Sequence, residues 1–140
     1  MDEIDRHIIE VLQEDGRISM TDLGKRIGLS VPAVKERVNK LEDKEIIKGY
    51  RAIIDSQKIN KQVTAFILYD TTRCSEFREF CKDHPSVTEC HRLAGQYSYL
   101  VKVVTESVHT LEQFIDQSLA YGESSTLITL SSPVEFKAIW

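Results

Sequence analysis

Hydrophobic residues recur at helical spacing three times in the first third of the chain. The three apolar stripes are Ile4, Ile8, Val11 and Leu12, then Met20, Leu23 and Ile27, then Val34, Val38 and Leu41. Because an amphipathic helix carries an apolar residue at every third or fourth position, this pattern predicts three helices, the first from Asp2 to Glu14. Their three stripes are expected to converge on one small core.

Cap and turn residues mark where the second and third helices begin. Ser19 and Ser30 are predicted N-caps, since a serine hydroxyl accepts a hydrogen bond from a free amide of the first turn. Gly28 lies between the helices, where a turn with positive φ is permitted, and Pro32 falls in the first turn of the third helix, where no N–H is needed. Two short helices around a glycine turn are typical of a helix-turn-helix.

The second half of the chain has the alternating pattern of strands interrupted by two helical stretches. Strands are predicted at about 63–71, 86–93, 96–104 and 124–132, and helices at about 75–84 and 108–119. This βαββαβ order predicts a ferredoxin-like antiparallel sheet with both helices on one face. The predicted fold class is therefore α+β, with a helix-turn-helix domain at 1–55, whose residues 46–55 form a strand or wing, a polar linker at 56–62 and a ferredoxin-like domain at 63–140.

The first predicted strand is apolar on both faces. Ala65 and Ile67 point to one side and Phe66 and Leu68 to the other, because successive side chains of a strand alternate. A sheet that is open to water on one face would instead alternate apolar with polar residues. The second apolar face is expected to meet a second copy of the chain in a two-fold dimer. The alternative is that the C-terminal segment, including Phe136 and Trp140, covers this face.

Charge is distributed unevenly along the chain. The net charge of the 140 residues is −4, which at first argues against a nucleic-acid partner. Residues 1–15 carry one base against six acids and residues 63–140 carry six bases against ten acids, whereas residues 16–62 carry eleven bases against six acids. Because salt confines each field to a Debye length of roughly 8–10 Å, this basic middle segment can still attract phosphates.

Several classes of protein and site are not favoured by the sequence. The acidic start has no signal-peptide pattern and no apolar run is long enough to span a bilayer, so we expect a cytoplasmic protein without a membrane partner. Three cysteines are expected to be reduced thiols, and a metal cluster of Cys81, His84, Cys90 and His91 does not match zinc-site spacing. No glycine-rich phosphate loop, H-x-x-x-H pair or triad is present, so we expect neither a cofactor nor an enzyme.

The third helix would present polar side chains to a DNA major groove. Lysine can reach guanine acceptors, asparagine suits adenine, and glutamate can accept from cytosine. The predicted groove residues are Ser30, Pro32, Lys35, Glu36 and Asn39, and the predicted phosphate contacts are Arg17, Lys25, Arg37 and Lys40. The alternative is a three-helix bundle that does not bind DNA and whose lysines and arginines form its solvent-exposed face.

Nearly the whole chain resembles the Lrp/AsnC, or feast/famine, family of transcriptional regulators. The similarity is carried by "DEIDRHIIEVLQEDGRISMTDLGKRIGLSVPAVKERVNKLEDKEIIKGYRAIID" and, less specifically, by "HRLAGQYSYLVKV". The resemblance implies winged-helix-like DNA binding, a C-terminal ligand-sensing (RAM) domain, dimers that can assemble into octamers, and in many members a response to an amino acid.

Two positions depart from the family pattern. The family usually has glycine where this chain has Glu45, and a non-glycine residue would be strained in a left-handed C-cap, which leaves the local geometry open. The family's sensing turn commonly reads Gly, any residue, an aromatic, then Asp, whereas this chain has Ser98 at the last position. In the family that Asp helps to hold the effector, whose amino group needs an acceptor or counter-charge.

Five residues remain candidates for an effector pocket. They are Gly95, Tyr97 and Ser98 in the turn and, more weakly, Ser131 and Ser132 on the last predicted strand. The alternative is that Gly95 only permits a tight turn and Tyr97 packs on a neighbour.

The sequence thus leaves two functions to compare. The first is an oligomeric, sequence-specific regulator that binds double-stranded DNA in the nucleoid, with modulation by a free amino acid left open. The second is an architectural protein that wraps or bridges DNA with little sequence preference and has no amino-acid effector.

Overall fold

Helix α1 (Glu3–Glu14), helix α2 (Met20–Ile27) and helix α3 (Val31–Asp43) confirm the three helices predicted for the first third of the chain. The computed structural model describes residues 1–140. The predicted stripes meet in one core, in which Ile8, Leu23 and Val34 are completely buried. This small core fixes which side of α3 faces outward.

The predicted caps hold α2 and α3. The Ser19 hydroxyl accepts from the Asp22 amide at 3.0 Å, and the Ser30 hydroxyl accepts from the Ala33 amide at 3.4 Å. Gly28 has φ 79°, the left-handed conformation that the turn was expected to need. The two helices are therefore joined by three residues, 28–30, whose geometry is set by glycine and serine.

Helix α3 ends in a Schellman motif that contains a non-glycine residue. The Ile46 amide donates to the Leu41 carbonyl at 2.9 Å and the Glu45 amide donates to the Glu42 carbonyl at 2.8 Å. Glu45 has φ 54°, so it adopts the left-handed conformation in spite of its side chain. The departure from the family glycine thus leaves the geometry of the helix end intact and adds strain to it.

The prediction of a strand or wing at 46–55 is wrong. The chain bends after α3 and then runs irregularly to Asp55. No backbone amide from Lys48 to Asp55 donates a hydrogen bond within the chain, so the segment lacks the strand partner that a ladder requires. Ile53 and Ile54 are left exposed, and Ile53 keeps 85% of its surface.

The second half confirms the predicted βαββαβ order. Strand β1 (Val63–Asp70), helix α4 (Cys74–Asp83), strands β2 (Val87–Arg92) and β3 (Tyr99–Thr105), helix α5 (Val108–Ser118) and strand β4 (Glu123–Ile128) follow in sequence. Short 3₁₀ helices lie at Ser56–Ile59 and Leu119–Tyr121. The antiparallel sheet has the order β2-β3-β1-β4, and both α-helices pack on the face that carries Ala65, Ile67 and Tyr69.

The other face of the sheet is apolar and lacks a helix. It carries Phe66 and Leu68 of β1 beside Leu100 of β3 and Leu127 of β4, as the strand registers require. Leu127 keeps 55% of its surface exposed, while the other three side chains are half-buried by their neighbours. We call this surface the open face.

The chain divides into a helical unit and a sheet unit. The helical unit consists of Met1–Ile53 together with Val134–Trp140, and the sheet unit is Ile54–Pro133. Phe136 and Trp140, which the alternative for the open face placed on the sheet, therefore belong to the helical unit. The predicted linker at 56–62 lies at the start of the sheet unit, where it contains a 3₁₀ helix.

Replacing the strained Glu45 should stabilise the protein. We expect Glu45→Gly to raise the free energy of unfolding by about 0.5–1 kcal/mol. Glycine removes the steric cost of positive φ in the folded state, and the larger entropy that it gives the unfolded chain offsets part of this gain. Denaturant unfolding of both proteins measures the difference. Asn60→Gly is the control, since Asn60 also has positive φ but asparagine tolerates it. Equal effects of the two substitutions would contradict the strain at Glu45.

Candidate DNA-binding surface and ligand-binding turn

Helix α3 presents a polar face that points away from the core of the helical unit. Val34, Val38 and Leu41 are at most 4% exposed and form the inner stripe. Lys35 and Asn39 lie one helical turn apart on the outward side, and both are exposed. Neither side chain makes a hydrogen bond or an ion pair within the chain. These two groups are therefore free to contact another molecule.

The second basic residue of this face is paired along the helix. The Lys40 ammonium lies 2.7 Å from a Glu36 carboxylate oxygen, and both side chains are about two-thirds exposed. The Lys40 ammonium holds the pKa of Glu36 below its ordinary value. Exposed pairs of this kind are worth a few tenths of a kcal/mol, so each partner can be drawn to another charge at little cost.

Arg37 faces α1 instead of solvent. Its guanidinium lies 2.8 Å from a carboxylate oxygen of Asp2 and 2.8 Å from one of Asp5. The Asp5 amide and the Arg37 guanidinium hold the pKa of Asp2 below its ordinary value. Asp2 is also the N-cap of α1, so one carboxylate both starts α1 and ties α3 to it. The structure thus gives Arg37, predicted as a phosphate contact, two carboxylate partners of its own.

The remaining predicted DNA-binding residues lie before α2, in its last turn and at the start of α3. Pro32, Arg17 and Lys25 are exposed, while the Ser30 hydroxyl is used to cap α3. Two further exposed residues of this surface were not predicted. Arg26 lies beside Lys25 in the last turn of α2, and Val31 is 41% exposed one turn before Lys35. The i, i+4, i+8 spacing of Val31, Lys35 and Asn39 was the signal that could have found it.

Ser98 links the predicted sensing turn to β1. Its hydroxyl donates to the Thr71 carbonyl at 3.2 Å and accepts from the Thr71 amide at 3.2 Å, and its own amide donates to the Tyr69 carbonyl at 2.7 Å. Gly95 is exposed with φ 133°, and Tyr97 is half-buried. The turn therefore has its glycine in a conformation that other residues rarely adopt, and its serine hydroxyl already has partners.

Two family models match the chain, one in each half. An AsnC-type helix-turn-helix domain matches residues 1–42, and an Lrp/AsnC ligand binding domain matches residues 62–139. The chain belongs to the Lrp/AsnC family of transcriptional regulators. The resemblance seen in its sequence is confirmed.

Relatives in the Lrp/AsnC family match over almost their full length. An uncharacterised HTH-type transcriptional regulator of Bacillus subtilis, YezC, is 54% identical over 94% of this chain and 95% of its own. The solved structure of Bacillus subtilis LrpC is 33% identical, with a TM-score of 0.92 over 97% of this chain and 99% of that one. A feast or famine regulatory protein from M. tuberculosis, solved with L-methionine, is 27% identical, with a TM-score of 0.89 over 99% of both chains.

Family membership agrees with the other features of the site. The relatives are transcriptional regulators and not enzymes, as the sequence predicted. None of the helices has both the length and the apolar character that crossing a bilayer would need. His, Cys, Asp and Glu side chains form no group of three or more that could hold a metal ion. Cys74, Cys81 and Cys90 are free thiols, and burial raises the pKa of Cys81 to about 12.

Two predicted effector residues are not on a strand. Strand β4 ends at Ile128, and Ser131 and Ser132 lie beyond it, exposed and irregular, so their placement on the last strand is wrong. The last backbone hydrogen bond from this segment to β1 is the one that the Thr129 amide donates to the Thr64 carbonyl. A cavity of about 560 Å³ in the sheet unit is lined by residues of α4, by His84 and Pro85 and by Tyr121, and none of the five predicted effector residues lines it.

Proposed function

We propose that the protein is a homodimeric regulator that recognises a specific double-stranded DNA sequence with the outward face of α3. The observation that supports this most directly is that Lys35 and Asn39 are exposed, unpaired and one turn apart on a helix whose other side is locked into a core. The helix-turn-helix match over residues 1–42 supports the same assignment. The protein would act in the cytoplasm, on the nucleoid.

Each side chain of the α3 face has a distinct proposed role. Asn39 would pair with adenine, Lys35 with guanine acceptors, and Glu36 with a cytosine amino group, while Pro32 and Val31 would contact thymine methyl groups or sugars. Arg17, Lys25 and Arg26 would contact phosphates on either side of the groove. Lys40 can leave Glu36 for a phosphate, whereas Arg37 would position α3 against α1 through Asp2 and Asp5.

The open face is the proposed dimer interface. Phe66, Leu68, Leu100 and Leu127 form an apolar surface on a sheet whose other face is already covered by α4 and α5. Packing two such faces would bury apolar area on both copies, which is the main driving force for stable association. Two-fold symmetry would also supply two recognition helices for two half-sites. Assembly beyond the dimer, to an octamer, is a further expectation from the family.

We further propose that a free amino acid modulates DNA binding, as the L-methionine complex of a 27% identical feast or famine protein suggests. One observation favours the alternative, an architectural protein without an effector. The Ser98 hydroxyl both donates to and accepts from the Thr71 backbone, and it carries no charge to offer an ammonium group. The two proposals differ in their response to amino acids and in sequence preference.

Substitutions on the α3 face should separate affinity from specificity. Lys35→Ala is expected to weaken binding to the DNA upstream of the protein's own gene. Asn39→Ala is expected to reduce the free energy of binding by about 1–3 kcal/mol on the preferred duplex, and by less on a duplex in which the contacted adenine is replaced. Titrations at several salt concentrations measure both effects, and affinity should fall steeply with salt. Lys82→Ala in α4, an exposed lysine of the sheet unit, is the matched control. Wild-type affinity in the Lys35→Ala, Asn39→Ala double variant would refute the assignment of α3.

A charge on the open face should dissociate the dimer. Leu127→Asp would place a carboxylate in the proposed interface, where it would be desolvated without a partner. We expect monomers of Leu127→Asp at micromolar concentrations at which the wild type is dimeric, as measured by sedimentation equilibrium. The control is Leu130→Asp, the same change at a side chain that is 96% exposed beyond the strand. Equal masses of the two variants would place the interface elsewhere.

An amino-acid effector should stabilise the fold by mass action. At a free concentration of about 100 Kd, a bound amino acid adds about 2.7 kcal/mol to the free energy of unfolding. Thermal unfolding with L-methionine and then with the other common amino acids measures this, alongside DNA titrations on related and unrelated duplexes. Ser98→Asp should tighten binding of the amino acid and Ser98→Asn should not, since only Asp adds a charge. No shift with any amino acid, together with equal affinities for unrelated duplexes, would favour the architectural protein.

A further inference from the structure

Residues 134–140 return to the helical unit after the sheet is complete. The chain leaves this unit after Ile53 and rejoins it at Val134, although the ligand binding domain of the family extends to residue 139. The helical unit is therefore built from two pieces of chain. We call residues 134–140 the strap.

The strap is held on α1 by a reciprocal amide pair. The Gln13 side-chain nitrogen donates to the Ile139 carbonyl at 3.2 Å, and the Ile139 amide donates to the Gln13 side-chain oxygen at 3.0 Å. A carboxamide that satisfies both polar groups of one residue imitates a step of a β-ladder. Of the side chains that could stand at position 13, only glutamine or asparagine offers both a donor and an acceptor in this planar arrangement.

A second contact lies on the same face of α1. The Arg6 guanidinium carbon is 5.9 Å from the centre of the Trp140 ring, within the range of a cation–π contact. Arg6 and Gln13 are seven positions apart, and Glu10, which lies between them, is half-buried. Two adjacent strap residues thus contact one helical stripe at two positions that lie about two turns apart.

We propose that the strap is a built-in peptide ligand of α1, and that its docking raises the affinity of the protein for DNA; this step rests on the proposed function. A docked strap connects the helical unit to the sheet unit by a second stretch of chain, in addition to residues 53–54. A helical unit that is already restrained by the strap loses less conformational entropy when it binds a duplex. The strap contacts use α1 and leave the outward face of α3 untouched, so they add affinity without adding a phosphate contact.

Docking can be measured without a label, because Trp140 is the one tryptophan of the chain. Trp140 keeps 59% of its surface, so acrylamide should quench its fluorescence about twofold less in the wild type than in Gln13→Ala, where the amide pair is lost. Gln13→Glu should fall between them, since a carboxylate accepts from the Ile139 amide but cannot donate. His7→Ala, at an exposed α1 residue outside these contacts, should match the wild type. Equal quenching of the wild type and Gln13→Ala would overturn docking.

DNA titrations test the consequence of docking. Gln13→Ala should bind the preferred duplex about threefold to tenfold more weakly, with the same dependence on salt as the wild type, because no phosphate contact is removed. His7→Ala should bind like the wild type. Wild-type affinity in Gln13→Ala, or a shallower salt dependence, would overturn the effect on affinity. A wild-type protein that binds no duplex would overturn the proposed function and this effect together, while the quenching result would still decide whether the strap docks.

Discussion

The bend between α2 and α3 is the constraint on which the DNA-binding surface depends. The Gly28 and Leu29 amides both donate to the Gly24 carbonyl, at 2.8 and 2.9 Å, so α2 ends in a tight turn and only three residues separate it from α3. The approach is close enough that a Cβ on Gly24 would lie 2.7 Å from the Leu29 carbonyl oxygen. Ser30 then starts α3 at a fixed direction, and the buried stripe sets its rotation. These two restraints set the orientation of Lys35 and Asn39, whose side chains make no hydrogen bond or ion pair within the chain.

Ion pairing decides which basic residues of α3 remain available to contact DNA. Three basic residues follow one another along this helix, and only Lys35 lacks a carboxylate partner. Arg37 takes the two acids at the start of α1, which reduces the negative charge of a segment that would otherwise repel a duplex. The same contact holds α1 against α3, because one guanidinium nitrogen, Nη1, donates to the carboxylates of both acids. An acidic protein can in this way keep a locally basic surface, because three of the acids near α3 are paired within the chain.

The sequence predicted the features that depend on local chemistry and missed those that depend on distant partners. The serine caps, the glycine bend and the alternation along β1 are each decided within a few residues, and all were found. The ion pairs of Arg37 were not predicted, because its carboxylate partners lie 35 and 32 positions away, where periodicity carries no information. The strand at 46–55 was wrong because β-branched residues record a propensity, and a strand also needs a neighbour. The reach of β4 was overestimated since apolar residues continue past the last ladder bond.

The charges on the open face are consistent with self-association of the sheet. Lys102 lies on this face between apolar neighbours, which would oppose contact between two copies if its charge were uncompensated. Its ammonium is 3.5 Å from a Glu89 carboxylate oxygen on the adjacent strand and 5.9 Å from the centre of the Phe66 ring. Both partners belong to the same sheet, so the charge is balanced before any second copy arrives. A lysine in the middle of an apolar surface therefore adds little repulsion, and the aliphatic part of its side chain extends the area that a partner can cover.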